Sequence, residues 1–230
     1  MIAKKTNWAK ALKPLIKKYK GQKHPLEYKN IYQLLVMVVL SARDSDKNIN
    51  SLAPEFFKAF PNIKALRNST AVDLYPFIGK VRNFANKSKW LIEMAQQIKM
   101  DKSIPLSIRE LTSLSGIGRK SANVIIREAG IKAEGIMVDL HVVRVAQRLG
   151  IASGSDPKKI EQQMMEVIPR SSWGETGMAI SFLGRETCRP SHPHHADCVM
   201  RRACHYYNQQ NGKQKKRVDI VSAKGRNLAT

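Results

Sequence analysis

The stretch LTSLSGIGRKSA, from Leu111 to Ala122, joins two helical patterns through Ser115-Gly116-Ile117-Gly118. Glycines at this spacing permit positive φ and let backbone amides approach a ligand closely. The second helix begins at Arg119, so its unpaired N–H groups and positive dipole end face whatever the turn holds. A phosphate fits that environment. Taken alone, Gly116 and Gly118 suit a tight turn between packed helices just as well. The cations Arg119 and Lys120 directly after them tip the reading toward phosphate.

This is the helix-hairpin-helix pattern, which holds the DNA backbone without reading base sequence. Lys120 lies in the first turn of the second helix. A lysine amine becomes a useful nucleophile where a neighbouring cation or partial desolvation lowers its pKa. In so basic a chain, a single lysine is ordinarily a solvated phosphate contact. A second element, Val138-Asp139-Leu140-His141, sets a carboxylate and an imidazole between the apolar stretch Gly135–Val138 and a helix containing Val142, Val145 and Ala146. Asp139 there reads as a helix N-cap, a catalytic carboxylate, or both.

The 230 residues carry 40 Lys and Arg against 18 acidic residues, a net charge of +22. Such an excess selects a polyanionic partner, because basic side chains gain affinity by neutralising phosphates and releasing counterions. Anionic membrane would suit the same charge. However, the most apolar run, Ile31–Ala42, contains Gln33 and is shorter than the roughly 20 residues that span a bilayer. It reads as a buried core helix. The opening MIAKKTNWAK lacks a secretory signal pattern, which leads to an expectation of a cytoplasmic protein.

Apolar residues recur at three- and four-residue steps without sustained alternation, so the fold is expected to be all-α. The spacing predicts helices over Asn7–Tyr19, Glu27–Ala42, Lys47–Phe60, Ala71–Phe77, Asn86–Lys99, Arg119–Glu128, Leu140–Leu149, Pro157–Val167, Gly174–Gly184 and Asp197–Tyr207, with shorter ones at Ile63–Leu66 and Ile108–Leu114. Ser107 and Glu110 have capping-box spacing, and Gly150 stands where a helix would end. From Asn208 the chain is polar and basic, as expected of a flexible tail adding phosphate affinity.

LSGIGRKSANVII followed by VDLHVVRVAQRLG resembles the endonuclease III branch of the helix-hairpin-helix DNA glycosylases. The resemblance extends from LSARDSD, Leu40–Asp46, to the cysteines near the end. It implies that Lys120 forms a Schiff base with an abasic sugar and that Asp139 is the essential carboxylate. It further implies a bifunctional glycosylase and AP lyase of base excision repair, excising an oxidised pyrimidine from double-stranded DNA. Gly116, Gly118, Arg119 and His141 would contact DNA. In LSARDSD, Arg43 stands where the family commonly has a gap-filling glutamine, while Ser45 and Asp46 follow its pattern. Arg43 therefore reads either as a wedge or as one more phosphate contact. After Ile78-Gly79, Arg82-Asn83-Phe84 replaces the usual Gly-x-Tyr. With Lys80, Lys87 and Lys89 nearby, this segment reads as a DNA-contacting loop or a solvated basic face.

The family holds a [4Fe–4S] cluster with cysteines spaced C-x6-C-x2-C-x5-C. At these intervals the chain has Cys188, His195, Cys198 and Cys204, so histidine replaces the second cysteine. Three states remain open: an iron–sulfur cluster with one His ligand, a Cys3His zinc site, or a relic without metal.

The expected architecture is two-lobed. Residues 21–131 would form a central lobe with the hairpin, residues 1–20 with 132–207 the second lobe and residues 208–230 the tail, in a monomer whose DNA-binding cleft joins Lys120 to Asp139. The rival functions are a glycosylase of the same fold for mismatched, alkylated or uracil bases, and a non-catalytic helix-hairpin-helix DNA-binding protein. The second rival would have no use for Lys120 combined with Asp139.

Overall fold

The structure, a computed structural model, describes residues 6–210. Among the described residues all regular structure is helical. The chain divides into two compact units, one of Gly21–Glu134 and one built from both chain ends, Met1–Lys20 with Gly135–Thr230. The first helices, α1 (Trp8–Ala11) and α2 (Lys13–Lys18), belong to the unit of the chain ends. The expected single helix over Asn7–Tyr19 is broken because Pro14 lacks an N–H and starts a new helix.

The central unit follows with α3 (Ile31–Leu40), α4 (Asp46–Ala59), α5 (Ile63–Arg67), α6 (Tyr75–Ile78), α7 (Phe84–Ile98), α8 (Ile108–Leu111) and α9 (Arg119–Glu128). The apolar run is its core helix, with every residue from Leu34 to Leu40 buried. α3 starts at Ile31, later than the hydrophobic pattern suggests, because the Asn30 side chain accepts from the Gln33 N–H at 2.9 Å. The Tyr32 hydroxyl donates to the Phe60 carbonyl at 2.7 Å, satisfying the one polar atom this ring brings into the core. α3 packs on α4, α7 and α9, so the helix after the hairpin rests directly on the core.

The chain then returns to the first unit with α10 (Leu140–Leu149), α11 (Pro157–Val167) and α12 (Trp173–Glu186). α10 and α12 form its main packed pair, and α2 lies on α12. Gly150 ends α10 in a left-handed conformation, φ 84°, as its position suggested. The expected helix over Asp197–Tyr207 is a correction. Residues 196–204 instead run through short turns, with Cys198 N–H bonded to the His195 carbonyl and Arg201 N–H to that of Cys198. Regular helix resumes only over 205–210. Three-residue turns suit this stretch because they hold Cys198 and Cys204 beside Cys188 instead of distributing them around a cylinder. The expected basic tail lies, from residue 211 on, outside the described residues.

Before α10, the backbone at Met137 lies directly on α12. A Cβ at Gly177 would sit 2.4 Å from the Met137 carbonyl oxygen and 2.9 Å from its nitrogen. Backbone cannot move aside as a flexible side chain can. Gly177→Ala is therefore expected to destabilise the protein by about 1–3 kcal/mol, the usual cost of overpacking. Urea unfolding followed by circular dichroism measures this, and an unchanged midpoint would show that the two segments can separate freely.

Candidate active site

The hairpin is built on the core of the central unit. Ser107 caps α8, accepting from the Glu110 N–H at 3.3 Å and donating to the Glu110 carboxylate at 2.6 Å. Leu114 and Ile117 are buried and anchor the turn. Gly116 has φ 81°, and a Cβ there would stand 3.1 Å from Val39 and 3.2 Å from Trp90. Its conformation strains any side chain, and the tight contacts would make Val39 and Trp90 give way by a few tenths of an ångström. Gly118 differs: its φ of −92° is ordinary, and a Cβ would meet nothing. Its bare surface leaves open space at the start of α9, where the first-turn amides lack intrahelical acceptors. Arg119 is half-buried at this end and Lys120 is exposed.

Asp139 is the N-cap of α10 and is half-buried. One carboxylate oxygen accepts the Val142 N–H at 2.8 Å, and the other accepts the hydroxyl of Ser181, on α12, at 2.7 Å. Two donors from different elements therefore fix both the position and the rotation of the carboxylate. Glu161 supports the approach segment by accepting the Ile136 N–H at 3.1 Å. His141 packs against α12, where a Cβ at Gly184 would lie 2.9 Å from its own, and its Nδ1 is 3.3 Å from the Arg144 guanidinium. It thus has a supporting role beside the DNA contact expected of it. Leu140, between Asp139 and His141, is 83% exposed.

Arg43 is exposed and left-handed, φ 59°, on the loop between α3 and α4. That conformation costs a non-glycine residue about 1–2 kcal/mol. Ser45 caps α4 by accepting the Asn48 N–H at 3.1 Å. Lys87 is a correction to its reading as part of a DNA-contacting loop or a solvated basic face. It is 2% exposed, and its Nζ donates to the Leu40 and Ala42 carbonyls at 2.7 Å each. Burial pushes its pKa down, with Asp44 pulling it back up. The Asp44 carboxylate accepts the N–H groups of Ser45 (2.8 Å) and Arg82 (3.0 Å) and the Asn48 amide (3.0 Å). Burial works against its charge, but these donors outweigh burial and hold its pKa below the ordinary value. Phe84, in the same segment as Lys87, is half-buried edge-on against Tyr75.

Cys188, His195, Cys198 and Cys204 line one small cavity, together with Arg148 and Tyr206. No three His, Cys, Asp or Glu side chains among the described residues stand where a single ion would hold them. The surroundings nevertheless fit a metal group. His195 Nε2 is buried without a hydrogen-bond partner. Backbone N–H groups of Met200, Tyr206 and Tyr207 point at the sulfurs of Cys198 and Cys204, and Arg148 donates to Cys188 Sγ at 3.4 Å. Burial pushes the Cys198 and Cys204 thiols up, and the neighbouring cysteines push them further, so metal binding there displaces protons.

Nothing in the sequence singles out Ser181 or Asp44, or the carbonyl partners of Lys87. Each acts across 38 to 47 residues of chain, and no local motif announces such contacts.

Residues 36–170 match the family of HhH-GPD superfamily base excision DNA repair proteins. Endonuclease III of Synechocystis sp. is 34% identical over 207 residues, covering 89% of this chain and 94% of that protein. Endonuclease III of Bacillus subtilis is 31% identical over 183 residues, 78% of this chain and 83% of that one. Among solved structures, a non-covalent endonuclease III–DNA complex is similar with a TM-score of 0.77 at 27% identity, covering 87% of this chain and 95% of that chain. A trapped endonuclease III–DNA covalent intermediate matches with the same TM-score and coverage at 26% identity.

The contribution of Asp139 as a helix cap can be measured by itself. Asp139→Ala removes the cap and is expected to cost about 1 kcal/mol of stability, whereas Asp139→Asn keeps an acceptor oxygen and should cost only a fraction of that. Chemical denaturation of the two variants checks this, and equal losses would mean that the carboxylate charge, not capping, matters to the fold.

Proposed function

The chain belongs to the HhH-GPD superfamily of base excision DNA repair proteins, in its endonuclease III branch, and from that premise we propose which of its residues carry the reaction. It is a DNA glycosylase and AP lyase acting on double-stranded DNA. No helix among the described residues is long and apolar enough to cross a membrane.

Lys120 is the nucleophile and Asp139 the carboxylate that supports it. The observation that carries this reading is the state of Asp139: a carboxylate held by both oxygens, at the head of a helix, beside an 83%-exposed leucine. Pure capping would use one oxygen only. The amides at the start of α9 and the Arg119 guanidinium receive the DNA phosphate, which brings the backbone beside the exposed Lys120 amine. A base stacked in the duplex is out of reach of any side chain, so the nucleotide must first be extruded.

As the glycosidic bond breaks, the base leaves with the bonding electrons and positive charge builds at C1′. The fixed Asp139 carboxylate stabilises that charge without having to reorient. The neutral Lys120 amine forms a bond to C1′, and opening of the sugar with loss of a proton from nitrogen gives an imine. Removal of a C2′ proton then expels the 3′ phosphate by β-elimination. Ser181 contributes by holding Asp139 in place. The excised base is an oxidised pyrimidine on this reading, with mismatched, alkylated or uracil bases as the competing substrates. The covalent state of a solved relative agrees with a covalent course.

Cys188, His195, Cys198 and Cys204 would hold a [4Fe–4S] cluster with one imidazole ligand. The buried His195 Nε2 without a hydrogen-bond partner and the N–H groups directed at the Cys198 and Cys204 sulfurs support this reading. It would fasten the loop between α12 and residue 204 and takes no part in the steps above. Protein isolated without oxygen should contain about four irons per chain and negligible zinc. His195→Cys should keep the iron and His195→Ala should lose most of it. One zinc per chain would contradict the cluster.

Single-turnover reactions on duplexes that each carry one lesion test the catalytic assignment. The wild type should release an oxidised pyrimidine and nick the strand. Asp139→Asn should slow base release by about 10²–10³-fold, the usual effect of removing one charge-stabilising group. Lys120→Ala should abolish nicking at a preformed abasic site. Nicking that survives in Lys120→Ala would overturn the assignment.

A further inference from the structure

We infer that Lys87 and Asp44 are positioning residues for Arg43: together they lock the backbone on both sides of a strained arginine so that its guanidinium is presented, already ordered, to damaged DNA. The inference rests on the reading of Arg43 as a DNA contact and deepens it.

Arg43 is one of three non-glycine residues with positive φ among the described residues, and it is exposed on a surface loop where glycine would meet no steric objection to that conformation. Strain of this kind persists only where the surroundings over-determine it. Here they do. The carbonyl of Ala42, the residue before Arg43, and that of Leu40 at the end of α3 both accept from Lys87 Nζ. On the other side, Asp44 is held by Ser45, Asn48 and Arg82. The bond from Arg82 N–H also joins the Arg43 loop to the segment before α7, where Asn83 is left-handed as well, φ 60°. Two strained positions on neighbouring loops thus share one fastening, Asp44, and the side chains of Arg43 and Arg82 both remain exposed.

The expense of this arrangement points to a use. An ammonium is among the groups least often found buried. Such a group is kept inside only where hydrogen bonds satisfy it, as the Leu40 and Ala42 carbonyls do for Lys87. Glycine at 43 and methionine at 87 would make a simpler loop, but a loop without an ordered guanidinium. A long side chain that must enter a gap in the duplex loses less entropy on binding when its backbone is already fixed. The clamp supplies that order.

The test uses the full-length protein and two probes, a duplex with a tetrahydrofuran abasic analogue and the same duplex undamaged, with affinities measured by fluorescence anisotropy. The quantity of interest is the ratio of the two dissociation constants. Arg43→Gln, Lys87→Met and Asp44→Asn should each lower the preference for the analogue about three- to tenfold, with affinity for undamaged duplex staying within about twofold for Lys87→Met and Asp44→Asn, and the Arg43→Gln/Lys87→Met pair should lose no more of the preference than either alone. Arg43→Gly should raise the melting temperature, because glycine adopts the left-handed conformation freely. If Lys87→Met and Asp44→Asn keep the wild-type ratio while Arg43→Gln loses it, the clamp only stabilises the fold and the inference fails, though Arg43 still contacts DNA. If Arg43→Gln keeps the ratio, the reading of Arg43 fails and takes the inference with it. Should Lys87→Met not fold, Asp44→Asn decides alone: an unchanged ratio overturns the inference.

Discussion

A peptide bond pressed against a helix is the contact on which the proposed chemistry of this protein rests. The Met137 backbone approaches α12 so closely that only glycine fits at Gly177. One helical turn on, at the same face, Ser181 is left within hydrogen-bonding reach of Asp139. A further turn brings Gly184 under His141. Small residues along one side of α12 thereby set the height of the segment from Met137 to His141, and the carboxylate is delivered at the head of α10 with no freedom to rotate. A catalytic dipole that need not reorganise gives the most stabilisation to developing charge. In this sense packing precedes chemistry.

The central unit solves a related problem with different parts. Gly116 lets the hairpin settle on Val39 and Trp90, and the buried Leu114 and Ile117 hold it there. Gly118 contributes only open space at the start of α9. A few residues away, an unusually polar fastening of Lys87 and Asp44 shapes the Arg43 loop. Glycine is used where backbone must come close, and buried charge where a cation must stand out. Both devices spend stability on the orientation of a surface group.

The parts legible in the sequence are those encoded by neighbours. The hairpin glycines, the Ser107 capping box, the Gly150 cap and the position of Asp139 before an amphipathic stretch all depend on residues three or four apart. α9, α10 and α11 accordingly begin and end where periodicity puts them. The failures have the opposite origin. Lys87 looked solvated because its partners, Leu40 and Ala42, lie 47 and 45 residues away. Asp197–Tyr207 looked helical because apolar spacing cannot register a set of inward-facing sulfurs that tightens the chain into turns. Gly118 was grouped with Gly116 for its conformation, although only Gly116 has positive φ.

The central claim is that one particular amine among 40 basic side chains forms the covalent bond to DNA. Borohydride reduction during reaction with an abasic-site duplex, followed by proteolysis and mass spectrometry of the DNA-linked peptide, identifies that amine directly. The sugar remnant should be attached to the side chain of Lys120, in the peptide that follows Gly118. A remnant on the N-terminal amine or on any other lysine would contradict it.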